Sequence, residues 1–449
     1  DTIDIKIAGA DDFQFTANTL TALSGSTIAT NTIAETTGAS GVTVDGLLIK
    51  DSTAAFADGA VATPSITNTG DTNTGVYFPA ADTVGVVAGG VEQFRFGSNP
   101  IPGGSKNLVI NGGMTVAQRG SQAITASGRA ATDMWSAMLN DTAGRITFTQ
   151  DSTTGAAVPL GHGYAIKADC TTAEGSLAAS DALAIRHMIE AKNLQHLRWG
   201  EAGAKAVTLS FWMSSPKSGT HCVTLNQPDS SYRHYISEFT VASADTWEHF
   251  KITIPGDTGG TITNDTGAGL SINFPLVCGS TFQNTKDVWA AGEDYGSSSV
   301  QNLLDNTANN VYITGVQLEV GSVATDFAHE DYGTTLHKCM RYYERKTNAA
   351  DNIPIAGSST LIYSTTNGYV TIPYLVPKRA TPTIGGLTAG DFYMWNASAG
   401  GLNVTSIALT PSLQEMHGGV VVASGVVAGN SSHIAFKGTD KYIEIMAEL

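Results

Sequence analysis

The sequence predicts an all-β protein, and three features predict it: little charge, much glycine, and apolar residues at every second position. Charged residues make up 14% of the 449, against about 25% in an average soluble domain. Glycine supplies 49 residues, roughly one in nine, where about 7% is usual. Such a chain suits many short strands joined by tight turns and has little material for long solvent-facing helices. The alternation of period two marks strands with one buried face.

Residues 1–62 carry the alternation in its thinnest form. Ile3, Ile5 and Ile7 alternate with polar residues, as do Phe13 and Phe15, and Val42 and Val44. Two or three apolar residues per strand bury too little surface in one chain to offset the ordering entropy. An intertwined β-shaft, with several copies turning these residues inward, solves the problem; a disordered linker is the alternative.

Residues 63–106 read as a small β-meander followed by the Pro/Gly linker "SNPIPGGSK". In "PSITNTGDTNTGVYF", the run Asp71 to Gly75 has turn chemistry. It lacks the further oxygen ligands and the closing Glu of a calcium loop, so a plain turn is expected there.

Residues 107–332 form one large β domain by pattern. In "AVTLSFWMSS", Val207, Leu209, Phe211 and Met213 share one face, and Thr208, Ser210, Trp212 and Ser214 the other. Phe250, Ile252 and Ile254 alternate in the same way, as do Val316, Leu318 and Val320. This is the pattern of antiparallel sandwiches. "ALAIRHMIE" is expected to be a strand and "NLQHLRW" a helical turn. Residues 333–346 hold the best helix: Leu336, Cys339, Met340 and Tyr343 fall at i, i+3, i+4 and i+7. Residues 347–449 return to alternation and are expected to form a second, compact β-sandwich.

The net charge is −16, and no Lys/Arg cluster stands out. That excludes a basic nucleic-acid surface and gives no electrostatic grip on anionic membranes. The longest apolar run, 418–429, is too short for a bilayer, which takes about 20 residues. Cys170, Cys222, Cys278 and Cys339 have neither redox-pair nor zinc-ribbon spacing and are expected to be buried free thiols.

Several motifs resemble bacteriophage tail-fibre proteins. "PSITNTGDTNTGVYF" with the later "GGVEQFRF" is similar to a repeat of their shafts. "NLVINGGMTVAQRG", "TDMW", "VTLSFWMS" and "ITGVQLEVGSVATDF" resemble a carbohydrate-binding-module-like jelly roll common in them. "LHKCMRYY" and the closing "AEL" resemble the helix and the C-terminal domain of the same fibre group. Two departures stand out: Met134 where the family often has Arg, and Asp326 where it often has Pro. The first puts in doubt any charged contact that the usual Arg would make.

The resemblance implies a homotrimeric fibre of the virion, folded in the host cytoplasm before assembly, whose distal part binds a host surface polysaccharide or lipopolysaccharide. It also implies attachment to other tail proteins through a segment preceding residue 1. No cofactor, metal or nucleic acid is expected. A tailspike-like glycan depolymerase and a structural head or tail appendage without a receptor are the alternatives. The enzyme reading lacks a marked carboxylate pair: Glu190, Asp294 and Glu319 read as ordinary surface groups. Sugar binding calls for solvent-facing aromatic rings beside polar groups. Trp212 qualifies, unless its face packs on a neighbour. Tyr393, Trp395 and Asn396 in "FYMWN" qualify if this is a loop of the distal tip. Trp135, Trp199, Trp247 and Trp289 are expected to be structural.

Overall fold

The structure is a computed structural model. It describes residues 3–7, 10–16, 19–22, 56–96, 106–152, 159, 161–229, 231–396 and 400–449, with the first three strands, Phe94 and Asn396 traced by main chain only. Val42 and Val44 lie outside these residues. The chain divides into two compact units, 1–98 and 99–449.

The first unit holds two small antiparallel sheets. β1 (Ile3–Ile7), β2 (Ala10–Thr16) and β3 (Thr19–Ala22) pair in sequence order. Ile3 lies opposite Phe15 and Ile5 opposite Phe13, so the alternating apolar positions fall in register. β4 (Ile66–Asn68), β5 (Asp71–Tyr77), β6 (Val84–Ala88) and β7 (Val91–Phe96) form the meander. The run expected to be its first turn is instead the start of β5. The chain reverses at Thr69–Gly70, with Gly70 N bound to Asn68 Oδ1 at 2.8 Å. Thr67 Oγ1 then reaches Asp71 O (3.0 Å) and Thr74 O (2.9 Å), knitting the polar run into the sheet. Gly75 is required by close approach: a Cβ there would fall 1.9 Å from Ile66 O. Only Tyr77 and Val87 are buried hydrophobics among the described residues here, while Val91 and Phe96 stay more than 60% exposed. A sheet with so thin a core is marginal alone.

The second unit begins with a two-sheet jelly roll. Its strands are β8 (Gln122–Ile124), β9 (Gly128–Arg129), β10 (Trp135–Asn140), β11 (Arg145–Asp151), β12 (Ala165–Thr172), β13 (Ala182–Glu190), β14 (Val207–Ser214), β15 (Gly219–Gln227), β16 (Arg233–Val241), β17 (Trp247–Ile254), β18 (Ala268–Cys278), β19 (Trp289–Ala291) and β20 (Asn310–Val320). One sheet runs β19-β16-β15-β18-β13-β10-β9, the other β17-β14-β20-β12-β11-β8. Val207, Leu209, Phe211 and Met213 enter the core between them, as the alternation requires. "NLQHL" lies within a 3-10 turn, Ala191–Leu197. All four cysteines are free and buried.

The helix α1 spans Tyr332–Met340 and is shorter than its periodicity suggests. Asp331 caps it by accepting from Thr334 N at 2.9 Å. It stops because β21 (Tyr343–Thr347) pairs with β29 (Tyr442–Met446). Tyr343, the last position of the helical stripe, is thus a strand residue: long-range pairing overrides local period. The remaining strands are β22 (Ser359–Ile362), β23 (Asn367–Pro373), β24 (Thr383–Gly385), β25 (Phe392–Asn396), β26 (Gly400–Pro411), β27 (Glu415–Val422) and β28 (Ser431–Phe436). The second sandwich expected here takes the form of a closed barrel, β22-β23-β27-β26-β25-β28. Closure comes from Thr360 and Leu361 pairing with Ser432 and Ser431. It removes the two exposed edges that an open sheet of these strands would carry.

The three acidic residues expected on the surface are tied inward. Glu190 is 1% exposed and receives Arg341 (2.9 and 2.7 Å) and Tyr342 (2.7 Å), joining the jelly roll to the segment after α1. Burial pulls its carboxyl up, but these hydrogen bonds prevail and hold it below the ordinary carboxylate range. Glu319 is buried under Thr325 and Gln317. Asp294 is half-buried and accepts from Asn284 at 2.9 Å. Glu448 performs a similar latch with Arg119 (2.9 Å) and Arg129 (3.4 Å), beside Met134.

His187 is fully buried on β13, its Nε2 3.0 Å from Ile110 O and its ring edge-on to Trp135. Burial pushes its pKa down to about 4, against the upward pull of the Ile110 carbonyl. In the unfolded chain it titrates near 6.5. The unfolded state therefore gains protons first as pH falls. The stability the neutral ring supplies is complete above about pH 6.5 and is lost as pH falls through about 4, roughly 2 kcal/mol of it by pH 5. Denaturation midpoints at pH 7.5 and 5 for wild type and His187→Gln check this. The variant is expected to lack that share of the acid loss; equal acid sensitivity in both would clear His187 as its source.

Candidate functional site

Trp212 stands on the outer face of β14, because its neighbours Phe211 and Met213 take the core side. In the register of β14 and β17 it lies opposite His249. The two rings stack at 4.7 Å and 11°. On the other side runs β20, where the pairing slips between Ser210 and Trp212. Gly315 sits at that slip with φ +60°. A Cβ on it would fall 2.6 Å from His162 Cε1 and 3.1 Å from Trp212 Cδ1. Glycine thus leaves both rings bordering the same small gap.

From His162 the ring series continues. Phe327 lies 5.0 Å away and His329 5.4 Å, and these two are 4.9 Å apart. Five flat side chains therefore run from β17 across β14 and β20 to the loops at 161–163 and 327–329. Beside them is a pocket of about 70 Å³, walled by Gly112, Gly113, Gly161 and Gly163 and bordered by Asn107, Glu330 and Lys338. Bare glycine walls leave ring faces uncovered: a Cβ on Gly113 would touch Phe327 at 3.5 Å. Glu330 pairs with Lys338 and accepts from Thr335 Oγ1 at 3.0 Å.

Burial, helped by His329 and His249, drives the His162 pKa down to about 4. Burial and Lys251 lower His249, and Asp326 opposes them. At neutral pH these two imidazoles are uncharged planes with hydrogen-bonding edges. The arrangement can stack a flat ligand and bind its polar rim. Among the described residues no group of three His, Cys, Asp or Glu is placed to hold a metal ion.

The other predicted residues sit elsewhere, on β25 of the barrel. Phe392 and Met394 point into the core, which turns Tyr393 and Trp395 outward, both half-buried. They lie within a barrel strand rather than in a loop. Trp395 Nε1 donates to Asn352 Oδ1, and its ring stacks on His433 at 6.0 Å and 19°. Lys437 Nζ lies 5.6 Å over the Tyr393 ring. Asn396 pairs through its main chain with Gly400; its side chain lies outside the described residues. Trp135, Trp199 and Trp289 each donate their indole N–H to a backbone carbonyl, of Asn111, Lys205 and Pro255. Trp247 packs near Tyr312 at 6.2 Å.

His162, His249, Phe327 and His329 were not among the sequence candidates. Their grouping depends on strand register and on a glycine gap, neither of which leaves a local signal. The tracts "GHG" at 161–163 and "FAH" at 327–329 are the nearest thing to one.

No protein-family model matches the sequence, and no curated protein matches it. Solved structures similar to it include a phage tailspike domain and carbohydrate-binding modules. The enzymatically active domain of tailspike protein 4 from bacteriophage CBA120 shares 10% identity at a TM-score of 0.26, over 48% of this chain and 22% of that one. A CBM4 structure shares 13% identity at 0.25, over 47% and 99%. TmCBM61, solved in complex with β-1,4-galactotriose, shares 13% at 0.24, over 48% and 100%.

Proposed function

We propose that the chain is part of a phage tail fibre, a homotrimeric structural protein of the virion that attaches to a host surface glycan and does no covalent chemistry. The observation that carries this is the five-ring series from His249 through Trp212 and His162 to Phe327 and His329, set beside a glycine-walled pocket. Pyranose rings present flat C–H faces with hydroxyls around the rim, and such a surface meets both. Weak contacts of this kind become useful when three chains offer them together.

The thin sheet at 66–96 supports the trimer, since Tyr77 and Val87 are its only buried hydrophobics among the described residues, and the sparse apolar alternation of the sequence at 3–15 agrees with it. The four buried free thiols fit folding in a reducing cytoplasm. Light scattering on the whole chain tests the fibre reading. A mass of three chains is expected. A monodisperse monomer would overturn the shaft and leave the β domains as a free binding protein.

A further inference from the structure

We infer that the barrel face around Tyr393 and Trp395 takes an anionic saccharide, one that carries a carboxylate or a phosphate. This rests on the glycan-attachment reading above and names the ligand class for one face.

Trp395 lies opposite Gly401 on β26, and Tyr393 lies opposite Ala435 on β28. A Cβ on Gly401 would stand 3.2 Å from the Tyr393 ring. Each ring thus has one small cross-strand neighbour, with His433 on the other side of Trp395 and Asn403 on the other side of Tyr393.

The polar groups around the rings are mostly donors. The Lys437 ammonium has three N–H groups, and one goes to Asn403 Oδ1 at 2.8 Å. Among the described residues no carboxylate lies within 4.0 Å of it to form an ion pair. Asp391, whose carbonyl accepts from the Lys437 N–H, commits its carboxylate to Lys441 at 2.7 Å. Asn403 is exposed, and with its oxygen turned to Lys437 its NH₂ is left to donate. His433 adds an imidazole edge beside Trp395.

A neutral sugar offers hydroxyls that both donate and accept, so its site needs acceptors as well as donors. A cation with amide N–H groups instead suits a ligand group that only accepts, and the charge-assisted bonds it forms are the stronger kind. The overall charge of −16 would repel an acidic saccharide at long range. At physiological salt that repulsion fades within about 8 Å, so an ammonium without an anionic partner decides the local sign.

Titration calorimetry with trigalacturonate, its carboxyl-reduced counterpart and a mannose phosphate trisaccharide tests this on wild type, Lys437→Met, Lys437→Arg, Trp395→Ala and Trp212→Ala. At least one acid is expected to bind, and which one does identifies carboxylate or phosphate as the source. Carboxyl reduction and Lys437→Met are each expected to weaken binding about tenfold, and Lys437→Arg to retain most of it. Unchanged melting of the Lys437 variants shows that they fold. Equal binding of the neutral counterpart, an unaffected Lys437→Met, or failure of both acids to bind would overturn the anionic class and leave glycan attachment standing. Binding lost in Trp212→Ala but untouched in Trp395→Ala would overturn the barrel face alone.

Discussion

Glu344→Ala is expected to destabilise the second unit by about 3–5 kcal/mol. Glu344 is 1% exposed on the side chain, and Lys378, 2.7 Å away, is fully buried. Lys346 lies 2.9 Å from the other carboxylate oxygen at 10% exposure. The carboxylate also accepts from Leu375 N at 3.0 Å. One acid therefore neutralises two ammoniums, Lys378 fully buried and Lys346 partly so, where α1 ends, β21 begins and the segment before β24 arrives. Burial already lowers the Lys378 pKa, with Glu344 pulling it back up. Removing the acid strands Lys378 in a place where it cannot hydrate and leaves Lys346 without its partner. Chemical denaturation checks this. A loss below about 1 kcal/mol would mean that water reaches the pair after all.

Trp212→Ala is expected to weaken glycan binding by the jelly roll by about thirtyfold, with little change in stability. The indole is half-buried on an outer face and is the largest plane of the ring series. Truncating a central aromatic anchor typically costs about 2 kcal/mol of binding, which is the stated factor. His249→Ala removes the ring stacked beneath it and is expected to cost less. Glycan titration with both variants checks the order. Equal binding by wild type and Trp212→Ala would move the site off this sheet.

The sequence shows the all-β class clearly because alternation is a property of single strands. Val207 to Met213 and Val316 to Leu318 face the core as their spacing requires. What alternation cannot show is which strand pairs with which. Tyr343 carries a helical period, yet β29 claims it for a strand. The turn-like run after Gly70 becomes β5 because Thr67 bonds across it. Closure of the barrel depends on Leu361 meeting Ser431, far along the chain. Glu190 looks like any surface acid until Arg341 and Tyr342 arrive from 151 and 152 residues on.

The same division holds for the candidate site. Trp212 was legible as outward-facing because it alternates with core residues, whereas Tyr393 and Trp395 were expected in a loop and face outward from a strand instead. Their surroundings were not. His249 meets Trp212 only through register, and His162 reaches it only past Gly315.

The most direct test is titration of host surface polysaccharide into the whole chain, with reducing ends assayed in the same samples. Saturable binding that Trp212→Ala weakens, without release of reducing ends, is the expected result. Absence of binding, or reducing ends that accumulate with time, would contradict a fibre that holds its glycan without cutting it.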